Sequence, residues 1–119
     1  MGDMKLGVIE TRFAQIVWEN EPLTTNQLIK LCAEDLEWKR TTTYTVLKKL
    51  CDKGIFKTEN SQVTALISKQ EFEAMRSEQF VDETFKGSLP AFLTAFNSRK
   101  KLSDAEIDEI QKLIDGMRG

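Results

Sequence analysis

Apolar side chains fall at Leu6, Ile9, Phe13, Ile16 and Val17, close to the period of about 3.6 residues that marks a helix. The pattern predicts a first helix over residues 6–19, with Trp18 and Pro22 marking its end and the turn beyond. A second helix starts at Thr24 or Thr25, since either hydroxyl can accept a hydrogen bond from an early backbone N–H. It carries Leu28, Ile29, Leu31, Cys32 and Leu36. After a short turn over residues 34–38, a third helix is predicted from Arg40 to Asp52, with Gly54 as a left-handed stop. Thr43, Val46, Leu47 and Leu50 form its inner stripe. Its outer face carries Thr41, Tyr44, Thr45 and Lys48, with Arg40, Lys49 and Lys53 at the margins.

The period then changes. Ile55-Phe56-Lys57-Thr58 and Val63-Thr64-Ala65-Leu66-Ile67 are rich in strand formers and flank the polar turn Glu59-Asn60-Ser61-Gln62, which predicts a short β-hairpin. No Asn-Gly or Asp-Gly pair fixes that turn. Ser68-Lys69-Gln70-Glu71 and Ser103-Asp104-Ala105-Glu106 are capping boxes, each opening a helix. The first of these helices carries Phe72, Met75, Phe80 and Val81 and ends near Gly87. A further helix opens at Ser88-Leu89-Pro90, because proline is tolerated in a first turn. It carries Leu89, Phe92, Leu93 and Phe96. The last helix shows Ile107, Ile110, Leu113, Ile114 and Met117.

Three helices and then a hairpin is the layout of a winged helix-turn-helix, whose third helix enters the DNA major groove. The fold class is therefore mainly α with a small β-hairpin wing. Residues 1–67 form the winged helix-turn-helix domain, and residues 68–119 a helical dimerisation region. Five of the seven phenylalanines, Phe72, Phe80, Phe85, Phe92 and Phe96, lie in that second stretch. With Ile107, Ile110, Leu113 and Ile114 they make more apolar surface than three short helices can bury alone. A second copy of the chain is the expected cover, giving a homodimer.

Composition narrows the chemistry. The chain has 119 residues, 40% hydrophobic and 30% charged, as a small globular protein does. No apolar run approaches the roughly 18 residues that would span a bilayer. The start lacks an apolar signal core, and Leu6 stands where an acylation signal needs Ser or Thr. A cytoplasmic protein without membrane association is the expectation. There is no histidine, and the two cysteines, Cys32 and Cys51, are far apart in sequence. No metal site, cofactor or catalytic residue is therefore expected. The two cysteines, each beside a leucine, read as small buried thiols on helices. The acidic run Asp104, Glu106, Asp108 and Glu109 sits at a helix start, where carboxylates interact well with the dipole. It reads as solvated surface.

Net charge is only −2, but its distribution is uneven. Residues 19–37 hold five acids and one base, whereas residues 39–57 hold six bases and one acid. A local excess of this kind is the footprint of a phosphate-binding surface. The expected partner is a double-stranded DNA operator, and the reading a transcriptional regulator acting as a repressor. Threonines can bond phosphates or base edges and touch thymine methyls, and Lys48 can neutralise a phosphate. The alternative is a winged-helix protein–protein adaptor that uses the same face without sequence-specific DNA binding.

Trp18-Glu19-Asn20-Glu21-Pro22, the run from Trp38 to Leu50 and then Lys53-Gly54 resemble the penicillinase repressor family (BlaI/MecI/CopY) of bacterial transcriptional repressors. Phe85-Lys86-Gly87-Ser88 and Leu102-Ser103-Asp104-Ala105-Glu106-Ile107 are also similar to it, so the resemblance spans about residues 6–115. It implies a homodimer that binds a palindromic operator through the N-terminal winged helix and pairs through the C-terminal helices. It places Arg40, Thr41, Thr42, Tyr44, Thr45, Lys48 and Lys49 on the recognition helix, with Thr42 at the family's most typical threonine. Three departures stand out. Copper-responsive members carry paired C-terminal cysteines, and no cysteine follows Cys51 here. The β-lactam-responsive members are cut after an asparagine and before a phenylalanine, and here Ala95 precedes Phe96. The returning wing strand is usually Tyr-rich, and here it reads Val63-Thr64-Ala65-Leu66-Ile67.

Overall fold

The computed structural model describes residues 4–119. The leader and acylation readings of the first three residues lie outside the described residues. The order is α1 (Val8–Asn20), β1 (Leu23–Thr24), α2 (Thr25–Leu36), α3 (Arg40–Asp52), β2 (Phe56–Glu59), β3 (Gln62–Ala65), α4 (Lys69–Phe85), α5 (Leu89–Arg99) and α6 (Asp104–Met117). This is a winged helix-turn-helix followed by further helices. The chain divides into two compact units, one through Gln79 and one from Phe80 to Gly119.

In the first unit, α2 and α4 start where a side chain satisfies their free N–H groups, whereas α1 and α3 have no side-chain cap. Thr24 accepts from the Gln27 amide at 3.1 Å, and Gln27 Oε1 accepts from the Thr24 amide at 2.8 Å, a reciprocal box that fixes α2. Ser68 and Glu71 make the same exchange at the head of α4. α2 ends on Glu37 in the left-handed region (φ 56°), a conformation that costs an L-residue about 1–2 kcal/mol. Past α3 the left-handed residue is Gly54, one position beyond the cap Lys53, and glycine takes that conformation without the cost (φ 81°).

The sheet has strand order β1-β3-β2 and is antiparallel throughout. The expected hairpin is β2–β3, closed by Asn60 and Ser61, both left-handed, as a two-residue mirror-image turn requires. Strand β1 was not expected from the pattern. It is two residues long, too short to show a period, and pairs Leu23 with Val63. That pairing, with the Thr25 amide donating to Ser61 O at 3.0 Å, ties the wing to the start of α2.

The core is aromatic. Phe13 stacks on Trp38 with centroids 5.6 Å apart, and Trp18 meets Phe56 at 5.5 Å and Phe72 at 5.4 Å. The Trp18 indole N–H donates to Ile67 O at 3.1 Å. Both tryptophans of the family-like motifs are thus packing residues, each half-buried against the core. Val17, Leu28, Cys32, Thr43, Leu50, Ile55 and Val63 are also fully buried. Ile9 departs from the expected stripe and is 47% exposed.

The second unit is built differently. Phe92 touches Phe80, Phe85 and Phe96, with centroids 5.6–6.1 Å apart. Ser88 caps α5 and Ser103 caps α6 through its box with Glu106. Neither α5 nor α6 contains a fully buried residue.

Candidate nucleic-acid interface

α3 is anchored through one side. Thr43, Leu47 and Leu50 are buried at spacings of three and four, so the opposite side must face outward. Thr41, Tyr44, Thr45 and Lys48 are all exposed on that opposite side. The Thr45 hydroxyl donates to Thr41 O at 2.9 Å. Its methyl group and its remaining lone pair stay outward, able to touch a thymine methyl or accept from a base edge. Tyr44 is 41% exposed. Tyr44, Leu47, Lys48, Cys51 and Thr58 line a shallow cavity of about 300 Å³ between α3 and β2.

The cations of this region are not equivalent. Lys48 lies 3.4 Å from Asp52 with both side chains largely in water, and such pairs are weak enough to yield to a phosphate. Lys49 lies on the flank turned to α1 and meets Glu10 at 2.5 Å. That hydrogen bond, together with the Gly7 amide donating to the same carboxylate, holds the Glu10 pKa below its ordinary value. Thr42, seven residues before Lys49, shares its flank and is exposed. Lys53 donates to Lys5 O at 2.8 Å, and Lys57 pairs with Glu59 at 3.1 Å. The predicted basic segment therefore divides into an exposed set, Lys39, Arg40, Lys48 and Lys57, and two lysines tied to the N-terminal part of the chain, Lys49 to Glu10 and Lys53 to the Lys5 carbonyl.

Sequence reasoning missed Asn26. Its side-chain oxygen accepts from Arg40 Nη2 at 3.4 Å, and the Arg40 guanidinium lies 5.8 Å from the Tyr44 ring centroid. No local pattern connects residues 26 and 40; only the packing of α2 on α3 brings them together.

The residues expected to pair two chains separate into two groups. Phe72 is only 2% exposed and packs on Trp18 in the first unit, so it corrects the expectation and serves the winged-helix core. Phe80, Phe96, Ile107, Leu113 and Ile114 are 41–57% exposed, and Phe85, Phe92 and Ile110 are half-buried.

The thiols also differ. Cys32 is fully buried, and burial pushes its pKa up to about 11 against a hydrogen bond from Thr43. Cys51 is only partly buried, 3.7 Å from the Thr58 hydroxyl. Among the described residues no group of three or more Cys, Asp or Glu could hold a metal ion. No described helix is long and apolar enough to cross a membrane.

A winged helix-turn-helix that presents an exposed, Thr-rich, cationic third helix is built as a DNA-binding regulator. The sequence profile of the family described as penicillinase repressor matches residues 6–116. The chain belongs to that family of transcriptional repressors. It is 24% identical over 110 residues to the methicillin resistance regulatory protein MecI of Staphylococcus aureus strain Mu50, covering 89% of each chain. It is 23% identical over 110 residues to the penicillinase repressor of Bacillus licheniformis, covering 89% of this chain and 86% of that one. The MecI protein of Mammaliicoccus sciuri is likewise 23% identical over 110 residues, with 89% of each chain covered.

Proposed function

We propose that this chain is a cytoplasmic homodimeric repressor that binds a palindromic duplex operator, each copy laying α3 in a major groove. The observation that carries the reading is the division of α3 into a buried side and an exposed side bearing Thr41, Tyr44, Thr45 and Lys48. A helix held this way offers base-reading groups and phosphate-neutralising charge on one surface. Arg40 extends that surface at its N-terminal end. Thr42 and Lys49 flank it, and Lys49 steadies α3 through Glu10 rather than meeting DNA directly.

Pairing is supported by the apolar residues left in water beyond Phe72. Phe80, Phe96, Ile107, Leu113 and Ile114 would go under cover in a two-fold pair, together with Phe85, Phe92 and Ile110. Two recognition helices so linked would address half-sites about one helical turn of DNA, or a multiple, apart.

The test combines sedimentation with selection of duplexes from a random pool. The full chain is expected to sediment as a dimer at micromolar concentration and to enrich palindromic duplexes. A chain ending at Gln79 is expected to be monomeric and to bind them orders of magnitude more weakly, because linkage supplies an effective concentration in the roughly millimolar range. A monomeric full chain, or equal binding by the shortened one, would overturn the dimeric mechanism.

A further inference from the structure

Arg40 stands at the first position of α3, after Lys39 at the cap, and no acid balances them in that first turn. A helix N-terminus carries partial positive charge, so cations there are unfavourable for the fold. The local sequence therefore gains nothing in helix stability from Arg40. Three other cations of the region meet carboxylates: Lys48 meets Asp52, Lys49 meets Glu10 and Lys57 meets Glu59, while Lys53 donates to the Lys5 carbonyl. Among the described residues no carboxylate pairs with Arg40. Its partners are the neutral amide of Asn26 at 3.4 Å and the face of Tyr44 at 5.8 Å.

A neutral partner has a specific consequence. An amide oxygen restrains the direction of a guanidinium without cancelling its charge, whereas a carboxylate would do both. The ring of Tyr44, four residues on, supplies a second restraint through its π face. Asn26 is free for this task because α2 is already capped by Thr24 and Gln27. It sits in the first turn of α2 with its side chain exposed.

We propose that Asn26 is a positioning residue for sequence reading: it holds Arg40 over Tyr44, so that α3 presents a pre-oriented, fully charged guanidinium that reads one guanine in each half-site. Guanine is the base whose O6 and N7 acceptors match the guanidinium fork in the major groove. The proposal rests on the DNA-binding reading above and adds a named base contact and its support.

The experiment uses the full chain. Duplexes are first selected from a random pool by the wild type, and affinities for a selected and a scrambled duplex are then compared. Asn26→Ala is expected to lower affinity for the selected duplex about three- to tenfold, the cost of ordering one long side chain on binding. Its affinity for the scrambled duplex should hold. In the Arg40→Ala background Asn26→Ala should have no further effect, and replacing the guanine should cost the wild type more than it costs Arg40→Ala. The structural signature is independent of DNA. Tyr44 is the sole tyrosine, so its ring current should move the Arg40 δ-methylene protons upfield in the NMR spectrum. Asn26→Ala should return them toward ordinary values. Asn26→Asp should keep that shift but weaken binding to both duplexes, since its carboxylate cancels the charge.

A wild type that enriches no duplex would overturn the repressor reading and this inference with it. A wild type that enriches duplexes, with Asn26→Ala leaving both the affinity and the Arg40 resonances unmoved, would overturn this inference alone.

Discussion

The Lys49 ammonium and the Glu10 carboxylate meet at 2.5 Å, joining α3 to α1 across thirty-nine positions of sequence. The carboxylate is mostly shielded, and its pKa is held below the ordinary value of 4.5 by Lys49 first and by the Gly7 amide second. A group whose native pKa is depressed adds stability above its unfolded value and loses it as pH falls through the native one. Lys49→Ala should therefore cost a few tenths to about 1 kcal/mol at neutral pH. That difference from wild type should shrink as the pH falls below 4.5. Thermal unfolding of both chains across that range is the check. Loss of DNA affinity in Lys49→Ala as large as in Lys48→Ala would contradict the assignment of Lys49 to its pair with Glu10.

Phe72 bears on where the winged helix ends. Its ring is held against Trp18, and the Met4 amide donates to Gln79 Oε1 at 3.0 Å. A chain ending at Lys69 should be less stable than one ending at Gln79 by about 3–5 kcal/mol, the usual cost of removing a buried phenylalanine. Denaturant unfolding of the two shortened chains measures it. Equal midpoints would show that Phe72 contributes nothing to the first unit.

The two thiols should react very differently. Cys32 combines full burial with a pKa near 11, and the thiolate is the reactive form. Alkylation of the native chain at pH 8 is expected to modify Cys51 and spare Cys32, with both modified after unfolding. Mass spectrometry of the labelled peptides reads the outcome, and rapid labelling of Cys32 in the native chain would contradict its burial.

Much of this architecture was legible because its signals are local. α3 runs from Arg40 to Asp52 as its periodicity indicates, and the Ser68 and Ser103 capping boxes both form. What escaped is long-range or lacks a period. Strand β1 is two residues whose pairing depends on Val63. Glu37 adopts a left-handed conformation that its residue type does not announce. The outward set Thr41, Tyr44, Thr45 and Lys48 followed from helical spacing, but the engagement of Lys49 with Glu10 and of Arg40 with Asn26 needed the packing of α1 and α2 on α3. Phe72 looked like its neighbours in an aromatic series. Only the fold shows that it turns toward Trp18 while Phe80 stays exposed.

The central claim is that the outer face of α3 reads DNA, and titration of a selected and a scrambled duplex at two salt concentrations tests it most directly. Tyr44→Ala and Thr45→Ala should each lose about 1–3 kcal/mol on the selected duplex and little on the scrambled one. Lys48→Ala should weaken both and lower the salt slope by about one. Unchanged affinity in the Tyr44 and Thr45 variants, or binding by the wild type that does not weaken with salt, would contradict the account and favour a winged helix that recognises protein through this face.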